Sequence, residues 1–322
     1  MWAIQIEETG GPEVLQWREL PDPEPGEGDV IVEVEAAGLN FVDTYHRSGL
    51  YDVPLPFVPG LEGAGMVVWA GAAVDSLAIG DRVAWASGPG SYATLARLPA
   101  DQVVKVPETV GHEIAAAIPL QGMTAHYLAI DTFPLGEGSR CLIHAGAGGV
   151  GLLLIQIAKL RGAEVFTTVG SDDKAELAEA AGADHTIRYR DVDFAEAITE
   201  IAGPRPLDVV YDGVGQSVFE QSLTLLRPRG MMVQFGNASG PVPPLSPLRL
   251  MAGGSLYLTR PTLVDYVRER GDLERRADDL FGWIASGDLH VRVGEHFALR
   301  DAAQAHEALE ARRTTGKVLL IP

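Results

Sequence analysis

Apolar positions fall into two regimes along the chain. Up to about residue 100 they come in short runs: AIQI (3–6), VIVEVEA (30–36), GMVVWAG (65–71), DRVAWA (81–86) and SYATLA (91–96). These runs hold β-branched and aromatic residues and are bounded by Gly and Pro, most densely at Pro21-Asp22-Pro23-Glu24-Pro25-Gly26. Strands at this spacing predict a barrel-like or sandwich domain. Around 107–130 the text becomes alanine-rich with few β-formers, which predicts helix and a domain junction there.

From residue 138 strand and helix patterns alternate. The stretch CLIHAGAGGVGLLLIQIAKLRG (141–162) predicts a strand at 141–144, a tight turn, and a helix from Val150 to Leu160 that stops at Gly162. Gly146, Gly148 and Gly151 stand in the turn at G-x-G-x-x-G spacing, the context a dinucleotide fingerprint requires. On that reading Gly146 permits the turn, and Gly148 lets backbone approach a pyrophosphate. Gly151 lets helix and strand pack closely, and the helix N-terminus offers free N–H groups to phosphate.

The alternation continues with AEVFTTV (163–169) and a helix from Asp172 to Ala181, capped by Ser171 and ended by Gly182. Next come HTIRY (185–189), a helix near 193–202, LDVVYDGVG (207–215), a helix near 217–226 and GMMVQFG (230–236). Such βαβ repetition means a doubly wound parallel sheet. A proline-rich loop and GSLYLTRPT (254–262) follow. Two helical patterns (263–286 and 301–311) and short strands near 289–293 and 317–321 complete the chain.

Length changes this picture little, since 322 residues suit two domains. With 46% apolar and 21% charged residues the composition is that of a soluble globular protein, and no apolar run has transmembrane length. The net charge of −19 opposes nucleic acid and anionic membrane as partners. The N-terminus shows no basic and apolar secretion signal. A single cysteine, Cys141, excludes an internal disulfide and a multi-thiolate zinc site, so the expected compartment is the cytoplasm.

An NAD site carries an acidic residue at the end of the second strand. Here that place reads Val169-Gly170-Ser171, with Lys174 shortly after and Arg188-Tyr189-Arg190 beyond the next strand. Space, hydroxyls and a cation suit a 2′-phosphate, so NADPH is the expected cofactor. Asp172 and Asp173 stand beside that pocket and argue for NADH if either points inward; Lys174 also reads as a solvated helix charge.

Eight segments carry a wider resemblance: AAGLNFVDTYHRSGLY (36–51), PGLEGAGMV (59–67), AGAGGVGL (145–152), TVGSDDKAELA (168–178), VVYDGVG (209–215), FGNASGPVPP (235–244), GSLYLTRP (254–261) and ARRTTGKVLLIP (311–322). In order and spacing the chain resembles the medium-chain dehydrogenase/reductase superfamily, and within it the zinc-independent quinone oxidoreductases, the zeta-crystallin-like group. The resemblance implies a GroES-like β-rich catalytic domain at 1–120, a Rossmann domain at 121–258, and a C-terminal segment, 259–322, that completes the first. It further implies a homodimer built through the edges of the cofactor domains. Zinc relatives carry Cys near Asn40 and His at Leu61, so no metal is expected.

Without zinc the acceptor must already be electron-poor, and hydrogen-bond donors must meet the charge developing on its oxygen. Residue by residue, the resemblance points to Asn40, Tyr45, Tyr51 and Arg260 for this task, Asn40 donating through its amide. For each a plainer reading stands beside it: turn residue for Asn40, packing for the tyrosines, an ion pair or phosphate contact for Arg260. The cofactor is expected on Thr124, Gly146, Gly148, Gly149, Val150, Gly151, Gly170, Ser171, Lys174, Tyr189, Phe235, Gly236, Asn237 and Arg312. Gln121 stands where some relatives have Lys. The implied activity is NADPH-dependent reduction of a small-molecule quinone. The rivals are an enone, 2-alkenal or enoyl reductase of the same fold and, from another class, a dinucleotide sensor or a single-stranded nucleic-acid binder.

Overall fold

The structure, a computed structural model, describes residues 1–322. It divides into two compact units: Met1–Met123 with Tyr266–Pro322, and Thr124–Asp265.

The first unit is β-rich. Strands β1 (Trp2–Gln5) and β2 (Gln16–Glu19) form a two-stranded antiparallel sheet. The long β3 (Asp29–Leu39) is followed by α1 (Phe41–Ser48), β4 (Glu62–Ala70), β5 (Arg82–Trp85), β6 (Leu95–Pro99) and β7 (Val103–Lys105). Helix α2 (His112–Ala117) closes the N-terminal part, and α3 (Pro119–Tyr127) begins in this unit and runs into the second. β3 is the organising strand. One of its edges pairs with β4 along nearly its full length, and the other pairs first with β6. Val30, Val32 and Val34 alternate into a core with Ile4, Val67, Trp85 and Leu98. Each such buried side chain contributes about 1.5–3 kcal/mol of transfer free energy. Trp85 is fully buried, and its indole N–H donates to Ser91 Oγ at 2.9 Å. The strand expected at 91–96 sits a few residues later, at Leu95–Pro99.

In the second unit β8 (Arg140–Ile143), α4 (Gly149–Leu160), β9 (Glu164–Val169), α5 (Asp172–Ala180), β10 (His185–Arg188), α6 (Phe194–Ala202), β11 (Leu207–Asp212), α7 (Phe219–Leu225) and β12 (Leu226–Gln234) alternate as the periodicity predicts. Helix α8 (Pro247–Ala252) interrupts the proline-rich loop; Pro247 at the first helical position loses no hydrogen bond that the helix would make. Then β13 (Tyr257–Thr259) pairs in parallel with β12. The sheet order is β10-β9-β8-β11-β12-β13. That last pairing carries the unit to Asp265, beyond the expected junction at 258, and the first junction lies at 123 rather than 120.

The first unit resumes at Tyr266, the last residue of α9 (Leu263–Tyr266), and continues with α10 (Arg270–Ser286), β14 (Val293–Ala298), α11 (Ala302–Glu310) and β15 (Lys317–Ile321). β15 completes the sheet by pairing with the remaining edge of β3, Val318 opposite Leu39 and Leu320 opposite Ala37. The seven-stranded path β14-β15-β3-β4-β5-β7, with β6 on β3, is therefore closed by the last residues of the chain.

Candidate functional site

Parallel pairing places the carboxyl ends of β8 to β12 along one edge of the six-stranded sheet. β9 and β10 lie to one side of β8, and β11 and β12 to the other, so the chain changes direction between β8 and β11, where open α/β sheets bind ligands. The turn after β8 differs in detail from expectation. Ala145, not Gly146, takes the left-handed conformation, with φ 57°. Gly146 is required for another reason, because a β-carbon there would stand 2.0 Å from Thr167 Oγ1 on β9. At Gly151 a β-carbon would meet Ala145 O at 2.4 Å, so close helix–strand packing demands this glycine. Only Ala145 O, at 3.2 Å, lies near the β-carbon position of Gly148, so the backbone is bare on that side and a phosphate can approach it. Gly148 caps the twelve-residue α4, whose first N–H groups, from Gly149, Val150 and Gly151, have no intrahelical acceptor.

After β9 the chain passes through Gly170 and Ser171 with no carboxylate at the strand end. Ser171 is the N-cap of α5 by position, yet its hydroxyl makes no cap hydrogen bond. The expected side-chain cap is thus not made. Tyr189, just beyond β10, lays its hydroxyl over Gly170. Asp172 is drawn to Arg188 in an exposed ion pair, and Arg188 also holds Asp191 at 3.1 Å. Lys174 is half-buried on the first turn of α5.

Beyond β11, Asp212 folds its carboxylate back onto the following turn, with Oδ1 accepting from Val214 N at 2.7 Å and Gly215 N at 2.8 Å. Burial pushes its pKa up to about 6 against the lowering effect of those N–H groups and of Arg260. Gly236 packs on this turn, since a β-carbon there would stand 2.4 Å from Gly213 O, and the Phe235 ring covers Gly213. Gln234 donates to Asn237 Oδ1 at 3.0 Å, which ties Asn237 to the end of β12. Thr124 is buried at the start of this unit, and exposed Arg260 follows β13. Arg312 belongs to the other unit, exposed in the turn after α11 with φ 58°.

The expected acceptor residues Tyr45 and Tyr51 lie together in the first unit. Their rings meet edge to face at 5.2 Å, and Tyr51 N donates to Tyr45 O at 3.1 Å. Both depend on α1, a helix that hydrophobic periodicity did not announce because its buried side chains include Asp43, Thr44 and Arg47. Asp43 Oδ2 accepts from Asn40 N at 2.8 Å and from the Tyr92 hydroxyl at 3.0 Å. Burial pushes the Asp43 pKa up to about 7, overcoming these hydrogen bonds. Arg47 donates to both oxygens of Glu310 and faces His306, which in turn contacts the Tyr92 hydroxyl at 3.2 Å.

Asn40 is buried and fully engaged. Its amide nitrogen donates to Gly38 O at 3.2 Å and Glu62 Oε2 at 2.8 Å, and its oxygen accepts from Gln121 Nε2 and Lys317 Nζ, each at 3.0 Å. The reverse amide orientation would set its oxygen against a carboxylate and its N–H groups against an ammonium, so this one is fixed by its neighbours. Both amide hydrogens are spent within the protein. Glu62 and Lys317 were not singled out from the sequence, although each is a charge set in an apolar strand run. No group of three or more His, Cys, Asp or Glu side chains is placed to hold a metal ion. Cys141 is buried in β8, where burial raises its thiol pKa well above the usual value.

Comparison with known proteins agrees with this geometry. The family model for the alcohol dehydrogenase GroES-like domain matches residues 26–108, and that for zinc-binding dehydrogenases matches 149–275. A quinone oxidoreductase of Pseudomonas aeruginosa is 46% identical over 99% of both chains. A 2-haloacrylate reductase of a Burkholderia species is 39% identical over 99% of this chain and 98% of its own. The crystal structure of Escherichia coli quinone oxidoreductase complexed with NADPH is similar over all of both chains, with 43% identity and a TM-score of 0.98. A glycine turn open at Gly148 on a doubly wound sheet, a GroES-like β unit closed by the last strand, and full-length identity at this level have one reading: the chain belongs to the quinone oxidoreductase family of the medium-chain dehydrogenase/reductase superfamily.

Proposed function

We propose that the chain is an NADPH-dependent quinone oxidoreductase that works without a metal ion. The observation that carries this reading is the phosphate cradle at Gly148, followed by a strand end at Gly170-Ser171 that lacks the carboxylate of an NAD site. Asp172, one of the two acids that would have favoured NADH, is engaged by Arg188. Ser171, Lys174 and Tyr189 offer hydroxyls and a cation for a 2′-phosphate; Gly146 to Gly151 receive the pyrophosphate. Thr124, Phe235, Gly236 and Asn237 complete the cofactor contacts in this reading. NADPH, when bound, supplies a hydride. In the first unit, Met1–Met123 with Tyr266–Pro322, the faces and hydroxyls of Tyr45 and Tyr51 hold the acceptor and meet the charge developing on its oxygen. Support for a metal-free reaction comes from the residues: Asn40 and Leu61 take the places of ligands, and Asn40 is committed to Glu62, Lys317 and Gln121.

A second reading, reduction of an activated carbon–carbon double bond, is favoured by the relative named 2-haloacrylate reductase. The cytoplasm is the proposed compartment, in keeping with a single buried cysteine, and no helix is long and apolar enough to cross a membrane. A homodimer is supported by β13, which has a partner on one edge alone, carries exposed Tyr257 and Leu258, and follows α8 with its exposed Leu248 and Met251.

The test is oxidation of NADPH by purified protein with a benzoquinone or a 2-alkenal, with EDTA present. Turnover faster with the quinone supports the first reading, and faster with the alkenal the second. Activity lost in EDTA and restored by zinc would refute the metal-free reaction.

A further inference from the structure

Glu62 on β4 and Lys317 on β15 approach from opposite edges of β3 and form an ion pair, although 255 residues separate them. Lys317 retains 1% of its side-chain exposure and Glu62 none. The pair lies across Gly38: a β-carbon there would stand 2.4 Å from Glu62 Oε2 and 2.6 Å from Lys317 Cε. β3 therefore carries a glycine where the pair needs its face bare. Glu62 uses its other oxygen to accept from Leu120 N at 2.7 Å. Lys317 Nζ and Glu62 Oε2 both bind Asn40, which sits at the N-cap of α1 and bonds through its backbone to Asp43. Burying two charges this deeply carries a large desolvation cost for each ion, and hydrophobic residues of the same volume would often be as stable. Stability alone thus does not account for the pair, whereas a fixed direction for the Asn40 amide and for α1 does.

We propose that Glu62 and Lys317 are positioning residues, which lock Asn40 and the start of α1 across Gly38 so that Tyr45 and Tyr51 are held in place for the acceptor. Asn40 is then the joint of this lock and not a donor to the substrate oxygen, both of its amide hydrogens being in use. The proposal rests on the assignment of Tyr45 and Tyr51 to the acceptor, and its test separates the two.

Two variants are compared with the wild type: Lys317→Met, and Lys317→Met combined with Glu62→Gln. The single variant leaves Glu62 buried without its counter-charge, and its melting temperature falls. In the double variant both charges are gone, so the melting temperature returns toward that of the wild type. If the pair positions α1, kcat of the double variant stays roughly tenfold to a hundredfold low while its Kd for NADPH stays within about twofold of wild type. Hydrogen exchange of the α1 amides, Phe41–Ser48, then rises about tenfold while α4 is unchanged. A double variant with wild-type kcat and wild-type exchange in α1 would overturn the proposal. Exchange reads the lock without turnover; failure of the wild-type protein to reduce any quinone would instead sink the assigned activity.

Discussion

The hydroxyl of Tyr189 occupies the space a side chain on Gly170 would need, 2.6 Å from the β-carbon position. The end of β9 and the residue after β10 are thereby packed into one surface, next to the Ser171 hydroxyl that α5 leaves unused as a cap. Gly170→Ala must push Tyr189 away. The expected result is a KM for NADPH raised about tenfold or more, corresponding to roughly 1.4 kcal/mol, and a KM for NADH changed much less. Equal effects on both cofactors in steady-state assays would remove Tyr189 from the 2′-phosphate end.

Gly146 and Gly148 are predicted to fail in different ways. Gly146→Ala drives a methyl group into Thr167, and overpacking of this kind costs roughly 1–3 kcal/mol, read as a lower denaturation midpoint. Gly148→Ala has room in the protein and should unfold near the wild-type midpoint, yet its methyl group fills the phosphate approach, and the Kd for NADPH should rise at least about tenfold. Fluorescence titration and urea unfolding on the two variants check this. Unchanged nucleotide affinity in Gly148→Ala would show that the pyrophosphate lies elsewhere.

His144, at the end of β8, is predicted to make the fold acid-sensitive. Ser222 Oγ donates to Val218 O, so it accepts from His144 Nε2–H at 2.8 Å, and Nδ1 then accepts from Thr168 Oγ1 at 2.9 Å. This arrangement holds a neutral ring, and burial lowers its pKa to about 3. In the unfolded chain the ring takes up a proton near pH 6.5, so stability is complete above that pH and falls as pH drops toward 3. Between pH 7 and 5 the loss through this ring is about 2 kcal/mol. His306, lowered to about 3, acts in the same direction, and Asp43, raised to about 7, acts in the opposite one. His144→Gln isolates the ring: urea unfolding at both pH values should show a loss about 2 kcal/mol smaller than in the wild type. The same loss in both proteins would show that His144 carries no linkage.

The open edge of β13 predicts the assembly state. Sedimentation should give twice the chain mass for the wild type, and Leu258→Lys, which adds a charge to the edge strand, should shift it toward the single chain. A wild type that sediments as one chain would remove the dimer.

Much of the cofactor unit was legible because its signals are local. The alternation from β8 to β12, the glycine spacing and the missing acid after Val169 depend on neighbours a few residues apart, where period and turn chemistry act. Even there, the left-handed turn at Ala145 and the packing of Gly146 on Thr167 needed the neighbouring strand.

By itself the sequence determined the two regimes of the chain, the order of elements along the parallel sheet, the glycine turn after β8 and a composition with one cysteine. Tertiary structure decided what Asn40 does, why Gly38 is a glycine, and that α1 exists as a helix with Asp43 and Arg47 inside it. The reason is physical: a buried charge is tolerated only through its partner, and here the partners are distant in sequence, Tyr92 before β6 and His306, Glu310 and Lys317 in the C-terminal segment that ends by closing the sheet.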